Sequence, residues 1–162
     1  MDLQSSQIMV QVAIQSVQFP NRYVRLDGQG VTSFTGTGGG KVDTQTYIGT
    51  YETFTLVVNT NGTVSFKSTV FNNVFLRLDA TGVAAGQIGS GGIVNAQFTA
   101  HTWEQFKIHK KPGPVGTYQG IVGIESAAFP GRYLRLDGNA NKVNVNGVFG
   151  AYEEFKVLVV GQ

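Results

Sequence analysis

Tyr23-Val24-Arg25-Leu26-Asp27-Gly28 decides the fold, because the pattern returns twice. It recurs as Phe75-Leu76-Arg77-Leu78-Asp79-Ala80 and as Tyr133-Leu134-Arg135-Leu136-Asp137-Gly138. In each copy two aliphatic residues alternate with an aromatic, an arginine and an aspartate. That is the period-two pattern of a strand with one face in a core. A second motif precedes each copy: Val12-Ala13-Ile14-Gln15-Ser16 before Phe19-Pro20, Val64-Ser65-Phe66-Lys67-Ser68 before Phe71, and Val122-Gly123-Ile124-Glu125-Ser126 before Phe129-Pro130. A third closes each: Tyr51-Glu52-Thr53-Phe54-Thr55-Leu56, Trp103-Glu104-Gln105-Phe106-Lys107-Ile108 and Tyr152-Glu153-Glu154-Phe155-Lys156-Val157. A valine (Val42, Val94, Val143) stands twelve positions before each closing phenylalanine and opens one more strand.

Each copy therefore predicts four strands, and the chain twelve. One such unit cannot bury its apolar face alone, whereas three around a pseudo-threefold axis can. The expected fold is all-β, a β-trefoil of three lobes over about 8–60, 61–111 and 117–162, within a single domain spanning 1–162. Asn59-Thr60-Asn61-Gly62 reads as the turn between the first two lobes, and Lys111-Pro112-Gly113-Pro114-Val115-Gly116 as the joint before the third. A two-sheet sandwich would leave the threefold repeat unexplained. Leu26, Leu78 and Leu136, with Phe54, Phe106 and Phe155, are the expected central layers.

Composition agrees. The chain has 22 glycines and four prolines among 162 residues, which suits short strands joined by turns. It has no cysteine, so disulfides and thiolate metal sites are excluded. A net charge of +2 with 14% charged residues is too weak a field to indicate nucleic acid or an anionic membrane. The basic cluster Lys107, His109, Lys110 and Lys111 reads as a solvated loop edge. Residues 1–6 lack the basic and apolar regions of a secretory leader, and no apolar run reaches the ~18 residues of a membrane span. The expectation is a soluble, cytoplasmic chain with no nucleic-acid partner.

Tyr51 to Val57, followed by Asn61-Gly62-Thr63-Val64-Ser65-Phe66-Lys67-Ser68, resembles the repeat of fascin-like β-trefoils. The Phe-Pro-x-Arg-Tyr-x-Arg-Leu segments are also similar to the arabinose-binding trefoil domain of arabinofuranosidases. Both resemblances imply the trefoil fold. The first implies an actin-binding or protein-interaction role, the second a sugar-binding one. In the arabinose-binding domain a sugar-contacting histidine follows Tyr-x-Arg, where this chain has Leu26, Leu78 and Leu136. That domain's aspartate three residues before the phenylalanine is Tyr51, Trp103 and Tyr152 here.

The sequence offers little for catalysis. Two histidines, His101 and His109, with scattered acids make a poor zinc site, and no cofactor is indicated. No Gly-x-Ser-x-Gly elbow occurs. Gly36-Thr37-Gly38-Gly39-Gly40-Lys41 superficially resembles a phosphate loop, but Val42 stands where a magnesium-binding hydroxyl belongs. It and Gly86–Gly92 read instead as mobile hairpin loops of lobes 1 and 2, whereas lobe 3 has only Asn139-Ala140-Asn141-Lys142. The repeated pairs Arg25/Glu52, Arg77/Glu104 and Arg135/Glu153 predict a polar network in each lobe or three shallow polar sites.

The candidate ligand-binding residues are Asp43, Gln45 and Tyr47 in lobe 1, Asn95 and Gln97 in lobe 2, and Asn144 and Asn146 in lobe 3, with Phe98 and Phe149 as aromatic companions. Carboxylates and amides take sugar hydroxyl hydrogen bonds, while an aromatic face packs against ring C–H groups. Asp43, Gln45 and Tyr47 are expected on one strand face beside a long hairpin, making lobe 1 the first choice. Lobe 3 is expected to hold an open pocket behind its short hairpin. The expected function is that of a non-enzymatic carbohydrate-binding protein, a lectin or carbohydrate-binding module, with glycans as partners. The alternatives are a fascin-like module that binds actin or another protein, and an inhibitor or toxin-accessory trefoil.

Overall fold

The structure, a computed structural model, describes residues 9–113 and 120–160. Twelve strands fill it: β1 Val10–Ser16, β2 Tyr23–Asp27, β3 Lys41–Gln45, β4 Phe54–Val58, β5 Val64–Ser68, β6 Val74–Asp79, β7 Ile93–Phe98, β8 Phe106–Lys110, β9 Val122–Ser126, β10 Tyr133–Asp137, β11 Lys142–Asn146 and β12 Phe155–Val160. The only helical turns among the described residues are single 3-10 turns at Thr50–Glu52, Thr102–Glu104 and Ala151–Glu153, one per lobe.

Six strands close a barrel through antiparallel pairs: β1 with β4, β4 with β5, β5 with β8, β8 with β9, β9 with β12, and β12 back to β1. Closure removes the exposed edges that an open sheet would leave. The other six strands form three hairpins, β2–β3, β6–β7 and β10–β11, that cap one end. This is the β-trefoil that the repeat predicts.

The core repeats with the lobes. Ile14, Phe66 and Ile124, with Phe54, Phe106 and Phe155, are fully buried in the barrel. Leu26, Leu78 and Leu136, with Val24, Leu76 and Leu134, fill the hairpin layer. The Ser at the end of each first strand is buried, and its hydroxyl accepts from the backbone N–H of Phe19, Phe71 or Phe129 at 2.9, 2.9 and 3.0 Å. That turn aims the phenylalanine across the lobe boundary, where Phe19 meets Tyr152, Phe71 meets Tyr51 and Phe129 meets Trp103. Two of the equivalent hairpin positions are glycine for this reason. A Cβ on Gly138 would lie 2.4 Å from the Phe19 ring, and one on Gly28 would lie 3.0 Å from the Phe71 ring.

Asn59 to Gly62 forms the turn between lobes 1 and 2, with Gly62 at φ +83°. The expected joint before lobe 3 lies outside the described residues from Pro114 onward. The basic cluster departs from the sequence reading: Lys107, His109 and Lys110 sit on β8, a barrel strand. His109 contacts Glu125 at 2.5 Å and Lys111 contacts Glu154 at 2.8 Å. Burial pushes the Glu125 carboxyl up, but the Gly131 N–H, His109 and Lys107 outweigh it and hold the group below its ordinary range. No described helix is long and apolar enough to cross a membrane.

Candidate functional site

Each lobe carries the same hub on its outer hairpin face. Arg25, Arg77 and Arg135 sit on β2, β6 and β10 with their guanidinium groups over Tyr51, Trp103 and Tyr152 at 4.9, 4.8 and 5.0 Å. Each arginine also reaches the polar residue opposite it on the third strand: Asp43 at 3.5 Å, Asn95 at 3.1 Å and Asn144 at 3.2 Å. Below lie the buried Glu52, Glu104 and Glu153, whose Oε1 atoms accept from the N–H of Gly49, His101 and Gly150. These glutamates pin the 3-10 turns. The expected Arg/Glu contact is present in lobes 1 and 3, at 3.8 and 3.7 Å, whereas in lobe 2 Arg77 pairs with Asp79 at 3.8 Å.

What covers this hub differs among lobes. The long hairpin loop of lobe 1 does not hang beside its own third strand but crosses onto lobe 2. Gly39 and Ala96 exchange two backbone hydrogen bonds of 2.8 Å each. Gln97 donates to the Thr35 carbonyl at 2.6 Å and accepts from the Thr35 N–H at 3.3 Å. Asn95 donates to the Thr37 carbonyl, and Arg77 to the Gly36 carbonyl. The lobe 2 loop likewise crosses onto lobe 3. Gly91 pairs with Val145, Gly86 N–H donates to the Gly147 carbonyl, and Gly89 N–H donates to Asn146. A Cβ on Gly147 would lie 2.0 Å from the Ala84 carbonyl oxygen, so that loop lies directly on the lobe 3 face.

Both loops are thus hydrogen-bonded to the next lobe, where their glycine content predicts free hairpins. The resemblance of 36–41 to a phosphate loop also ends here, because Lys41 opens a strand and no helix follows. Lobe 3 has no residues to spare for a crossing. Its Asn141, at φ +48°, reaches lobe 1 with its side chain alone, accepting from the N–H and hydroxyl of Thr44. Thr44 is the counterpart of Ala96 and Val145, so a side chain replaces the backbone bridge found in the other two lobes.

The sequence-derived candidates divide accordingly. Gln97, Asn144 and Asn146 are buried, and Asn95 is bonded to Arg77 and Thr37, so all four serve internal contacts. Asp43 is held between Arg25 at 3.5 Å and Lys41 at 3.6 Å. Gln45 and Tyr47 share one cleft with Arg25 and the turn from Gly49 to Glu52, while Gln97 lies at the floor of another and Asp43 lines a third. Tyr47 is exposed and lies past the end of β3, so it does not continue the Asp43–Gln45 strand face. Register also separates the aromatic companions. Gln45, Gln97 and Asn146 are equivalents, opposite Tyr23, Phe75 and Tyr133, so Tyr47 corresponds to Thr99 and Val148 and not to Phe98 or Phe149. The open pocket expected in lobe 3 is covered instead, and the short lobe 3 hairpin leaves the lobe 1 face exposed.

Lobe 2 retains a narrower cleft of about 210 Å³ beside the crossing loop. Phe34 of that loop packs edge-on against His101 at 4.9 Å, and Trp103 and Thr102 line the cleft above Arg77, Gln97 and Glu104. Burial raises the Glu104 carboxyl above its ordinary value, although the His101 N–H, Arg77 and the His101 ring pull the other way. Phe34 and His101 were missed in the sequence, because nothing local says that a lobe 1 loop residue belongs to lobe 2. No group of three or more histidine, aspartate or glutamate side chains among the described residues is placed to hold a metal ion.

By sequence, no family model and no curated protein matches the chain. By structure it is similar to a mosquitocidal holotoxin at TM-score 0.69 and 13% identity, covering 96% of this chain and 18% of that one. It is similar to SeviL bound to asialo-GM1 saccharide at TM-score 0.64 and 11% identity, covering 93% and 98%. It is also similar to the Vibrio vulnificus hemolysin/cytolysin β-trefoil lectin with N-acetyl-D-lactosamine bound, at TM-score 0.58 and 13% identity, covering 96% and 98%. The chain thus shares the fold of β-trefoil lectins and toxin domains. The fascin-like and arabinose-binding resemblances rest on the motifs alone.

Proposed function

We propose that the chain is a non-catalytic glycan-binding protein, and that its principal sugar site is the lobe 2 cleft between Phe34, His101 and Trp103. The observation that carries this reading is the cleft itself, narrow and with aromatic walls, at a hub that lobe 1 leaves wider and lobe 3 covers. Aromatic rings pack against the apolar C–H face of a sugar, and the Thr102 hydroxyl and His101 ring supply directional hydrogen bonds. Two of the similar folds hold saccharides, which adds weight. Gln45 and Tyr47 offer the same chemistry on the wider lobe 1 face, where fewer groups converge and a sugar would bind more weakly.

A raised carboxyl in a cleft is also the mark of a general acid, so hydrolysis has to be weighed. Glu104 is 1% exposed, and its Oε1 already accepts the His101 N–H at 2.7 Å. A proton there has no open path to a glycosidic oxygen, which favours binding over cleavage.

Trp103 is the only tryptophan in the chain, so its fluorescence reports on the cleft without labelling. Titration with N-acetyl-D-lactosamine and with asialo-GM1 saccharide should shift that emission, with Kd near the millimolar range expected of a shallow site, about −4 kcal/mol. Phe34→Ala should weaken binding about tenfold and leave the fold intact. No response to either sugar or to a broad glycan array would end this reading and shift attention to a protein partner such as actin.

A further inference from the structure

In lobes 2 and 3 the outer hairpin face is filled by the chain's own backbone, gripped by equivalent side chains. Gln97 takes both the N–H and the carbonyl of Thr35, and Arg77 takes the next carbonyl, that of Gly36. Asn146 takes the Gly89 N–H. Lobe 1 carries the same equipment, Gln45 and Arg25, at the same register. Among the described residues no loop crosses its face, because the lobe 3 hairpin is too short to supply one. Gln45 turns its Oε1 back to the Thr46 N–H at 2.9 Å, and no described group bonds its amide nitrogen. The cleft there, between Gln45, Tyr47 and the turn from Gly49 to Glu52, has a volume of about 350 Å³.

We infer that the lobe 1 face is a docking groove for an uncharged, turn-forming peptide segment of a partner protein, with an aromatic residue followed two positions later by glycine, as Thr35 to Gly38 turn on lobe 2. The chain's own Phe34-Thr35-Gly36-Thr37, seated on lobe 2, supplies the chemistry. The Gln45 amide takes both backbone groups of the residue between aromatic and glycine, as Gln97 does with Thr35. Arg25 takes the carbonyl of the glycine. The aromatic ring enters beside Tyr47, where Gly49 stands in place of His101 and leaves more room. The footprint is short. Asp43 cannot donate as Asn95 does, and the Thr44 N–H is already bonded to Asn141. A free peptide selects lobe 1 because the lobe 2 face is occupied intramolecularly, at a far higher effective concentration.

The inference is independent of the principal, lobe 2 sugar site, and its test separates peptide from sugar at Gln45 and Tyr47. The probe is the blocked hexapeptide Ser-Phe-Thr-Gly-Thr-Gly, the sequence of residues 33–38, titrated into the whole isotope-labelled chain and followed by amide NMR. The expected result is a shift of the Gln45 side-chain amide and of the Gly49 and Thr50 N–H signals, with the Trp103 indole unmoved. Gln45→Ala should weaken the peptide about tenfold, through loss of two backbone hydrogen bonds. A second variant grafts residues 33–38 into the lobe 3 hairpin after Gly138. It should fill the groove intramolecularly and abolish the peptide response. No peptide-induced shift up to about 10 mM, unchanged affinity in Gln45→Ala, or Gln45 and Gly49 signals that move only with N-acetyl-D-lactosamine would each overturn the proposal. A Trp103 that ignores both sugars sinks the glycan reading and leaves this one standing.

Discussion

The outer faces of lobes 1 and 2 are built on the same arginine, aromatic and buried glutamate, yet they offer different surfaces. In lobe 2 the amide of Gln97 is 2% exposed and holds a loop in place, and that loop delivers Phe34 to the cleft. In lobe 1 the equivalent Gln45 has no loop to hold, and Tyr47 stands 60% exposed. The difference does not arise within either lobe. It arises in the hairpin of the preceding lobe, long before lobe 2 and short before lobe 1. In this trefoil each face is finished by its neighbour, so one hairpin length sets the chemistry of a site in another repeat.

The largest effects should come where the lobes do not differ. Phe54 and Phe106 are equivalent barrel residues, both fully buried and each ring near Phe66, at 6.1 and 5.8 Å. Phe106→Ala should cost roughly 3–5 kcal/mol in chemical denaturation, and Phe54→Ala the same within error. Unequal costs would mean that the asymmetry reaches the barrel. A loss under about 1 kcal/mol in either would contradict the packing.

At the faces the same paired substitution should split. Gln97→Ala strips the Thr35 N–H and carbonyl of their partners and unfastens the loop, a cost of about 2 kcal/mol. Gln45→Ala removes only bonds to the adjacent Thr46 and should stay within about 0.5 kcal/mol. Trp103 emission should shift in the first variant and not in the second. Equal costs would break the comparison.

This split also marks what was legible in the sequence. The strands, the threefold repeat and the central Leu and Phe layers were readable, because period-two burial is a local property and the repeat displayed it three times. Gln45 and Tyr47 were readable as solvent-facing polar and aromatic residues. Asn95, Gln97, Asn144 and Asn146 looked equally available, but a loop from elsewhere in the chain covers or engages each face that carries them. Glycine-rich loops read as mobile for the same reason. Gly38 and Gly40, at φ +64° and +67°, are needed where the chain passes close to Ala96 and Asp27, and that approach is visible only in three dimensions.

The link from lobe 3 to lobe 1 should be weaker than the backbone bridges. Asn141→Gly keeps the left-handed backbone while removing the side chain that accepts from Thr44. A cost of about 1 kcal/mol is expected, with faster amide exchange confined to Thr44 and its surroundings. An unchanged exchange rate at Thr44 would mean that Asn141 does not close lobe 1, and that its face is held by the hub alone.

The smallest effect concerns the buried acids and separates lobe 2 from lobe 3. Glu153 Oε2 accepts from Asn146 at 3.1 Å and lies 3.7 Å from Arg135. Glu153→Gln turns a donor toward donors and should destabilise the chain at neutral pH. Glu104 is different, since burial raises its carboxyl above the ordinary value in the folded state. An acid raised on folding binds its proton more tightly when folded. Its ionisation therefore lowers stability as pH rises from the unfolded value, about 4.5, through the folded one. Glu104→Gln removes that ionisation while its amide oxygen can still accept the His101 N–H. Relative to the parent, the variant should gain stability as pH rises from 4 to 7, read as a rise of its Tm against that of the parent. A variant whose disadvantage instead grew toward neutral pH would show that Glu104 acts as a stabilising ion partner of Arg77, making the lobe 2 hub electrostatically equivalent to that of lobe 3.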